Sequence, residues 1–338
     1  MSQARYSRQE LFAGLGPEGQ ARLRAARVLV VGVGALGSAL AEMMARAGVG
    51  DLTVVDRDFV EESNLQRQSL FEEADATHGL PKAVAAEARL RRINSEVVVH
   101  GIVADVAADN VMALVGAADL VLDGTDNFAT RFLLNDACLS LGVPWIYGAC
   151  VGSYGLALAV RPGVTPCLRC VLRERPPPGT GETCDTAGVI APIVHVVAGI
   201  QAAEALKLLA GRHHDLLPGL VTVDLWSGLF EVMDLRAEAP SCPACVEGRY
   251  DHLRESLDNA VLCGRDAVQL RAPAGASLDL QALAARLRGV GQVVANDWLL
   301  RFSGEGAELV VFADGRVLVK GGSDVARARS LSARYVGM

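Results

Sequence analysis

The sequence has no excess of basic charge: 32 lysines and arginines stand against 39 aspartates and glutamates, for a net charge of −7. Bulk nucleic-acid binding needs a basic face that releases phosphate counterions, so no nucleic-acid partner is expected. The first ten residues, MSQARYSRQE, lack the apolar core of a secretory leader, and a cytoplasmic protein is expected. Nor is any long apolar run free of groups that are costly in hydrocarbon. Val189 to Leu209 approaches the length of a membrane span but contains Pro192, His195, Gln201, Glu204 and Lys207. It reads as a buried helix of a globular protein, with no membrane partner and with His195 a satisfied core histidine.

What is present is a chain of 338 residues, 51% apolar, long enough for one large domain and a smaller one. One stretch organises it. Arg27 to Asp58 runs from an apolar segment through GVGALG (Gly32 to Gly37) into an alanine-rich helical pattern, then through a second apolar segment to Asp56 and Asp58. Such a strand–turn–helix–strand unit brings backbone close to a phosphate at a helix N-terminus, so Gly32, Gly34, Ala35 and Gly37 are candidate nucleotide contacts. The polar loop EESNLQRQ follows, carrying Asn64, Arg67 and Gln68, and then a helix from about Pro81 through Ile93 with Lys82 in its first turn.

Strands are expected over 97–103, 119–122 and 144–148, with helices over 109–115 and 128–141. The strand at 119–122 delivers Asp123, Thr125, Asp126 and Asn127 at its C-terminal end, where open parallel sheets bind ligands. The fold class this implies is α/β: a doubly wound, Rossmann-like, mainly parallel sheet with right-handed crossovers. Antiparallel strands then extend it at 154–160 and, as a pair around Ser227 and Gly228, over 221–235. From Arg249 the composition shifts. Strands are expected over 260–270, 292–302, 308–312 and 317–320, the last two joined by Asp314-Gly315, and helices over 278–287 and 324–335. The expected domains are 1–248 and a small C-terminal α/β appendage, 249–338.

Eight cysteines are present, four of them in two C-x-x-C pairs: Cys167 with Cys170, and Cys242 with Cys245. Without a secretory leader the pattern favours metal over disulfides, and four thiolates form the set preferred by tetrahedral, structural zinc. The competing reading is two separate buried or redox pairs. Cys138 and Cys150 fall in apolar contexts and read as core, and Cys263 is given no role. Cys184 lies in a Pro/Gly-rich segment before a helix that starts near Gly188, where exposure and the helix dipole favour a thiolate; a packing role competes.

Alone, the glycine turn with Asp56 reads as the dinucleotide site of an NAD-dependent oxidoreductase. Downstream cations argue otherwise. Arg67 and Lys82, with Arg8 able to join them, and Asp126 as a Mg²⁺ ligand, suit a triphosphate undergoing phosphoryl or nucleotidyl transfer. Taken together, RYSRQ, GVGALG, DRDFVEESNLQRQ, GLPK, DGTDN, CLRC, ETCDTAGV and CPAC occur in the order seen in one family. The chain resembles the ThiF/MoeB/HesA adenylyltransferases, relatives of the ubiquitin-activating enzymes, across about three quarters of its length.

The resemblance implies ATP-dependent adenylation of the C-terminal glycine of a ubiquitin-like sulfur carrier ending in Gly-Gly. Nucleotide contacts then fall on Gly34, Asp56, Asn64, Arg67, Lys82, Asp126 and Asn127, with Asp56 on the ribose, Arg67 and Lys82 on phosphates, and Asp126 on Mg²⁺. Arg8 matches an arginine that reaches into a neighbouring subunit, which implies a homodimer. Cys184 matches a cysteine that links covalently to the activated carrier in some members. No rhodanese active-site loop is evident in the appendage, so sulfur is expected from a separate donor, a cysteine desulfurase or rhodanese-type protein. A zinc-stabilised nucleotide-binding scaffold without turnover remains an alternative.

Overall fold

Alternating apolar runs and helical patterns build a three-layer core. In the computed structural model, residues 5–177, 184–235, 241–254, 259–262, 267–272, 276–304 and 306–337 are described. The chain divides into two compact units, one reaching Pro176 and resuming over Glu182–Glu255, the other holding Ser256–Met338.

The larger unit contains strands β1 (Arg27–Val31), β2 (Asp51–Asp56), β3 (Val98–Val103), β4 (Leu120–Asp123), β5 (Trp145–Val151), β6 (Tyr154–Val160), β7 (Gly219–Asp224) and β8 (Leu229–Asp234). They form one sheet in the order β3-β2-β1-β4-β5-β6-β7-β8. The first five are mutually parallel and the last three antiparallel, as the sequence led one to expect. β1 is buried on both faces, with Val28 and Val30 in one core and Leu29 and Val31 in the other. That two-sided burial is why its sequence is a continuous apolar run rather than an alternation.

Helices Ala35–Ala47, Lys82–Ile93 and Ala191–Leu209 cover one face; Val111–Gly116 and Phe128–Leu141 cover the other. The chain switches from one side of the sheet to the other between β1 and β4, and a crevice opens there at the strand C-termini. Because Tyr154 pairs with Asp224, the β7–β8 turn at 225–228 lies at this same edge of the sheet.

The Ala191–Leu209 helix is long and apolar enough to cross a membrane by composition alone. It packs on β5, β6 and the Ala35–Ala47 helix, with Ile193, Val194, Val197 and Ala198 in the core. His195 is exposed, not a core histidine, because it falls on the opposite side of the helix from those four residues. The helix starts at Ala191 rather than near Gly188, and Cys184 lies in a separate short helix, Cys184–Ala187. The Pro/Gly-rich stretch at 178–183 and Cys263 lie outside the described residues.

The smaller unit holds β9 (Asn259–Leu262), β10 (Ala267–Leu270), β11 (Gln292–Ala295), β12 (Leu299–Gly304), β13 (Ala307–Phe312) and β14 (Val317–Lys320). They make an antiparallel sheet ordered β11-β12-β13-β14-β10-β9. Helices Leu280–Leu287 and Val325–Tyr335 pack on one of its faces, each capped by an aspartate, Asp279 or Asp324. Two stretches expected as single strands are each two strands here. Residues 260–270 divide into β9 and β10, and 292–302 into β11 and β12. The second division occurs at Asn296, whose Oδ1 accepts from the amides of Trp298 and Leu299 and turns the chain.

Candidate active site

The glycine turn follows directly from close packing. Gly32 has φ +81°, which favours glycine, and its carbonyl oxygen would lie 1.7 Å from a Cβ on Gly37. A side chain at Gly37 therefore separates the helix from the end of β1, and one at Gly32 would meet the Gly124 carbonyl in the loop after β4. Among the described residues no side chain caps the Ala35–Ala47 helix, whose N-cap is Gly34. Its first amides are left open to an anion, as the sequence predicts.

Asp56 ends β2 with its carboxylate folded under the turn. One oxygen accepts from the Val33 amide at 2.6 Å and the other from the Asp58 amide at 2.7 Å. Burial pushes this carboxyl above the ordinary range, while nearby Lys82 pulls it back. Lys82 itself is buried and lies 3.5 Å from Asp58 Oδ2. Asn64 is buried as well and closes a capping turn, its Oδ1 accepting from the Glu61 amide. Gln68 comes up beside Gly34, and its Oε1 accepts no hydrogen bond among the described residues. Arg67 is half-buried and donates to the Ser63 carbonyl at 2.8 Å.

The loop after β4 adjoins the turn, since a Cβ on Gly124 would meet Gly32 O and Gly37 Cα. Asp126 is exposed there, and Asn127 caps the Phe128–Leu141 helix by accepting from the Thr130 amide at 2.9 Å. A single exposed carboxylate suits Mg²⁺, which keeps several waters and takes its remaining ligands from substrate phosphates.

Beneath this loop sits a buried polar group that the sequence reading did not assign. Asp123 pairs with Arg131 at 3.4 Å, and Gln201 donates to the carbonyls of Asp123 and Ile146. The available signals were an arginine four residues after the cap in a largely apolar helix, and a glutamine in the most apolar helix of the chain. Four residues further on, Asn135 Oδ1 accepts from the Leu168 amide at 3.0 Å. Asn127, Arg131 and Asn135 thus form one stripe along the Phe128–Leu141 helix.

A model of the ThiF family matches residues 6–244. The chain belongs to the ThiF family. The motif resemblance, from RYSRQ to CPAC, spans the same region. One ThiF-family relative, the sulfur carrier protein ThiS adenylyltransferase of Bacillus subtilis, is 48% identical, covering 98% of this chain and 99% of the relative. The SAMP-activating enzyme E1 of Haloferax volcanii is 42% identical across 77% of this chain and 94% of its own. The solved structure of E. coli MccB with ATP superposes at TM-score 0.62 over 72% of this chain and 74% of that one. Its identity of 23% makes that a likeness of fold.

In this ThiF-family chain the two C-x-x-C pairs meet. The Sγ atoms of Cys167 and Cys242 lie 3.6 Å apart, those of Cys170 and Cys245 3.5 Å, and those of Cys167 and Cys170 3.9 Å. All four lie within 4.8 Å of one another, an arrangement able to hold a metal ion. Tetrahedral zinc–thiolate bonds of about 2.3 Å set sulfurs about 3.8 Å apart, so the donor set fits zinc. The hydrogen bond between them pushes the Cys167 thiol up and lowers Cys170 to about 5, so one sulfur already tends to a thiolate.

Two other predicted residues lie away from the turn or to one side of it. Cys184 is half-buried and donates to the Cys150 carbonyl at 3.3 Å, at the end of β5. Arg8 does not join Arg67 and Lys82 within its own ThiF-family chain. Its neighbour Gln9 donates to the Ala47 carbonyl, and Tyr6 accepts from Asn94, which fixes the arm at the far end of the Ala35–Ala47 helix. That helix has 13 residues, so the arm lies about 20 Å from the turn.

Proposed function

We propose that this protein uses ATP to adenylate the C-terminal glycine of a ubiquitin-like sulfur carrier ending in Gly-Gly. The observation that carries the reading is the 48% identity with the B. subtilis ThiS adenylyltransferase over 98% of this chain and 99% of the relative. The geometry agrees with it. Open helix amides, a buried lysine, a buried aspartate and an exposed aspartate surround one crevice, with no base–nucleophile pair assigned there.

The chemistry asks for none. The carrier's terminal carboxylate is ionised at neutral pH and attacks the α-phosphorus of ATP, forming an acyl-adenylate as the bond to pyrophosphate breaks. The protein supplies position and charge. Asp56 accepts from the ribose hydroxyls, with Asp58, Asn64 and Gln68 shaping that side. Lys82 and Arg67 hold phosphates, the amides of Gly34 to Gly37 face the phosphate chain, and Asn127 and Asp126 close the other side. Mg²⁺ at Asp126, when bound, neutralises charge on the phosphates.

The carrier's folded body is assigned to the β7–β8 hairpin. Trp226 is 84% exposed and Phe230 62%, and Leu229 and Met233 are exposed beside them. The hairpin is stiffened by Asp224, which accepts from Ser153 and Ser227 hydroxyls and the Trp226 amide. From β8 to β4 is four strand spacings, about 19 Å, a distance that about six extended residues of a C-terminal tail span. The tail would pass the end of β5, and Cys184 beside it is assigned to take the carrier's acyl group as a thioester while AMP leaves.

Arg8, too far from its own site, is assigned to that of a second copy in a homodimer. Adenylation is assigned to the N-terminal domain and no step to the C-terminal one, so a separate desulfurase or rhodanese-type protein supplies sulfur. The cysteine cluster is assigned one structural zinc in a cytoplasmic enzyme. Metal analysis should give about one zinc per chain, and Cys245→Ser should lower it together with the thermal midpoint.

The deciding test is ATP–pyrophosphate exchange with Gly-Gly carriers. Exchange that requires the carrier and disappears in Asp126→Ala supports the reading. Tight NADH binding without exchange points to an oxidoreductase, and ATP binding without turnover to a scaffold.

A further inference from the structure

The loop bearing Asp126 is held from beneath by a side chain to which the adenylation scheme gives no contact with substrate. Thr125 donates to Asp123 Oδ1 through both its amide, at 2.9 Å, and its hydroxyl, at 2.7 Å. Its carbonyl accepts from Arg131 Nη2 at 2.7 Å, so the residue is fixed at both ends. In a trans peptide the carbonyl and the following N–H point opposite ways. With the Thr125 carbonyl drawn inward, the Asp126 N–H points the other way, and the Asp126 residue that follows this fixed peptide is exposed.

The same Nη2 reaches the Gly148 carbonyl on β5 at 3.2 Å, so one guanidinium ties β4, β5 and the loop together. It has little freedom to swing. Its carbon lies 5.5 Å from the Phe128 ring centre and 5.3 Å from that of Tyr147, and Nε faces Asp123 Oδ2 at 3.4 Å. An ammonium group offers one point charge and cannot reproduce this fork.

We infer that Arg131 is a positioning residue, clamping the Thr125 peptide so that the Asp126 carboxylate meets a divalent cation carried by the nucleotide triphosphate. The inference rests on the adenylation reading, and its test has a readout that does not.

Free Mn²⁺ is followed by electron paramagnetic resonance while it is titrated into the full-length protein with ATP. Arg131→Lys should weaken Mn²⁺ uptake about tenfold or more, the usual effect of losing a residue that orients a metal ligand. ATP affinity without metal should stay within about threefold, and excess Mg²⁺ should restore much of the exchange rate. Thr125→Ala, which removes a single hydroxyl contact, should act in the same direction more weakly and guards against a misfolded Arg131 variant. Adding Arg131→Lys to Asp126→Ala should change Mn²⁺ uptake no further. Unchanged metal uptake in folded Arg131→Lys, or additive losses in the double variant, would overturn the inference. The expected Mn²⁺ losses in the variants, with no exchange by the unsubstituted protein for any carrier, would instead overturn the adenylation reading and leave the clamp standing.

Discussion

Two buried acid–cation pairs face each other across the crevice, one at the end of β2 and one at the end of β4. In the first, Asp56 accepts two backbone amides, and its cation is Lys82, 3.5 Å from Asp58. In the second, Asp123 accepts from Thr125, and its cation is Arg131, which also donates to two carbonyls and lies between two rings. Burial pushes both carboxyls up and the neighbouring cation opposes it in each case. What differs is how far the cation is committed. The lysine is a compact point charge on a long ion pair, free to exchange that pair for a phosphate. The arginine spends Nη2 on two carbonyls and its charge on Asp123. The first pair is suited to hold a ligand; the second holds the frame.

The largest effect should come from breaking the ligand-facing pair. Lys82→Met is expected to lower carrier-dependent exchange by about 10²–10³-fold, the scale for loss of a preorganised charge at a reacting centre. A loss below tenfold would place the phosphate cation elsewhere. Breaking the framing pair should register first in stability. Asp123→Asn leaves Arg131 buried without its counter-charge and should cost about 3–5 kcal/mol in denaturant unfolding. If it costs less than about 1 kcal/mol while ATP affinity collapses, the two pairs have the opposite roles.

A smaller effect concerns pH. Because burial raises Asp56, the carboxylate proposed to accept from the ribose is protonated as pH falls through that raised value, above the ordinary range near 4. ATP affinity should therefore drop earlier on acidification than an exposed aspartate would allow, and Asp56→Asn should flatten the profile. For the unliganded protein the sign is reversed: a raised carboxyl costs stability near neutrality, and that cost is recovered as pH falls toward its unfolded value. The smallest effect is the control. Arg27 and Asp119 form an exposed pair that lowers the Asp119 carboxyl. Its contribution is present above the unfolded value and lost as pH falls through the folded one. Asp119→Asn should leave exchange and the thermal midpoint nearly unchanged at neutral pH.

The placement of the first pair was legible in the sequence because its signals are local: a glycine turn, an aspartate at the end of the next strand, a lysine at a helix start. The framing pair was not. Asp123 and Arg131 have meaning only once the ends of β4 and β5 are side by side with Gln201, which is 78 residues from Asp123. The same distinction runs through the elements. The Phe128–Leu141 helix has the bounds its periodicity implies, and Asp314-Gly315 turns the chain as expected, with Gly315 at φ +83°. The β11–β12 turn was missed because Asn296 interrupts two apolar runs with side-chain hydrogen bonds that periodicity does not register. The cysteine pairs were readable despite a separation of 75 residues, since thiolate pairs carry their spacing rule with them.

The stripe of Asn127, Arg131 and Asn135 has a consequence for how this protein can vary. One straight helix sets the register between the loop bearing Asp126 and the first cysteine pair. Inserting or deleting one residue between 127 and 135 would turn the later contacts through about 100° and shift them along the axis by about 1.5 Å. No single rotamer change could restore both Arg131 and Asn135. Length, more than composition, is what this segment cannot give up.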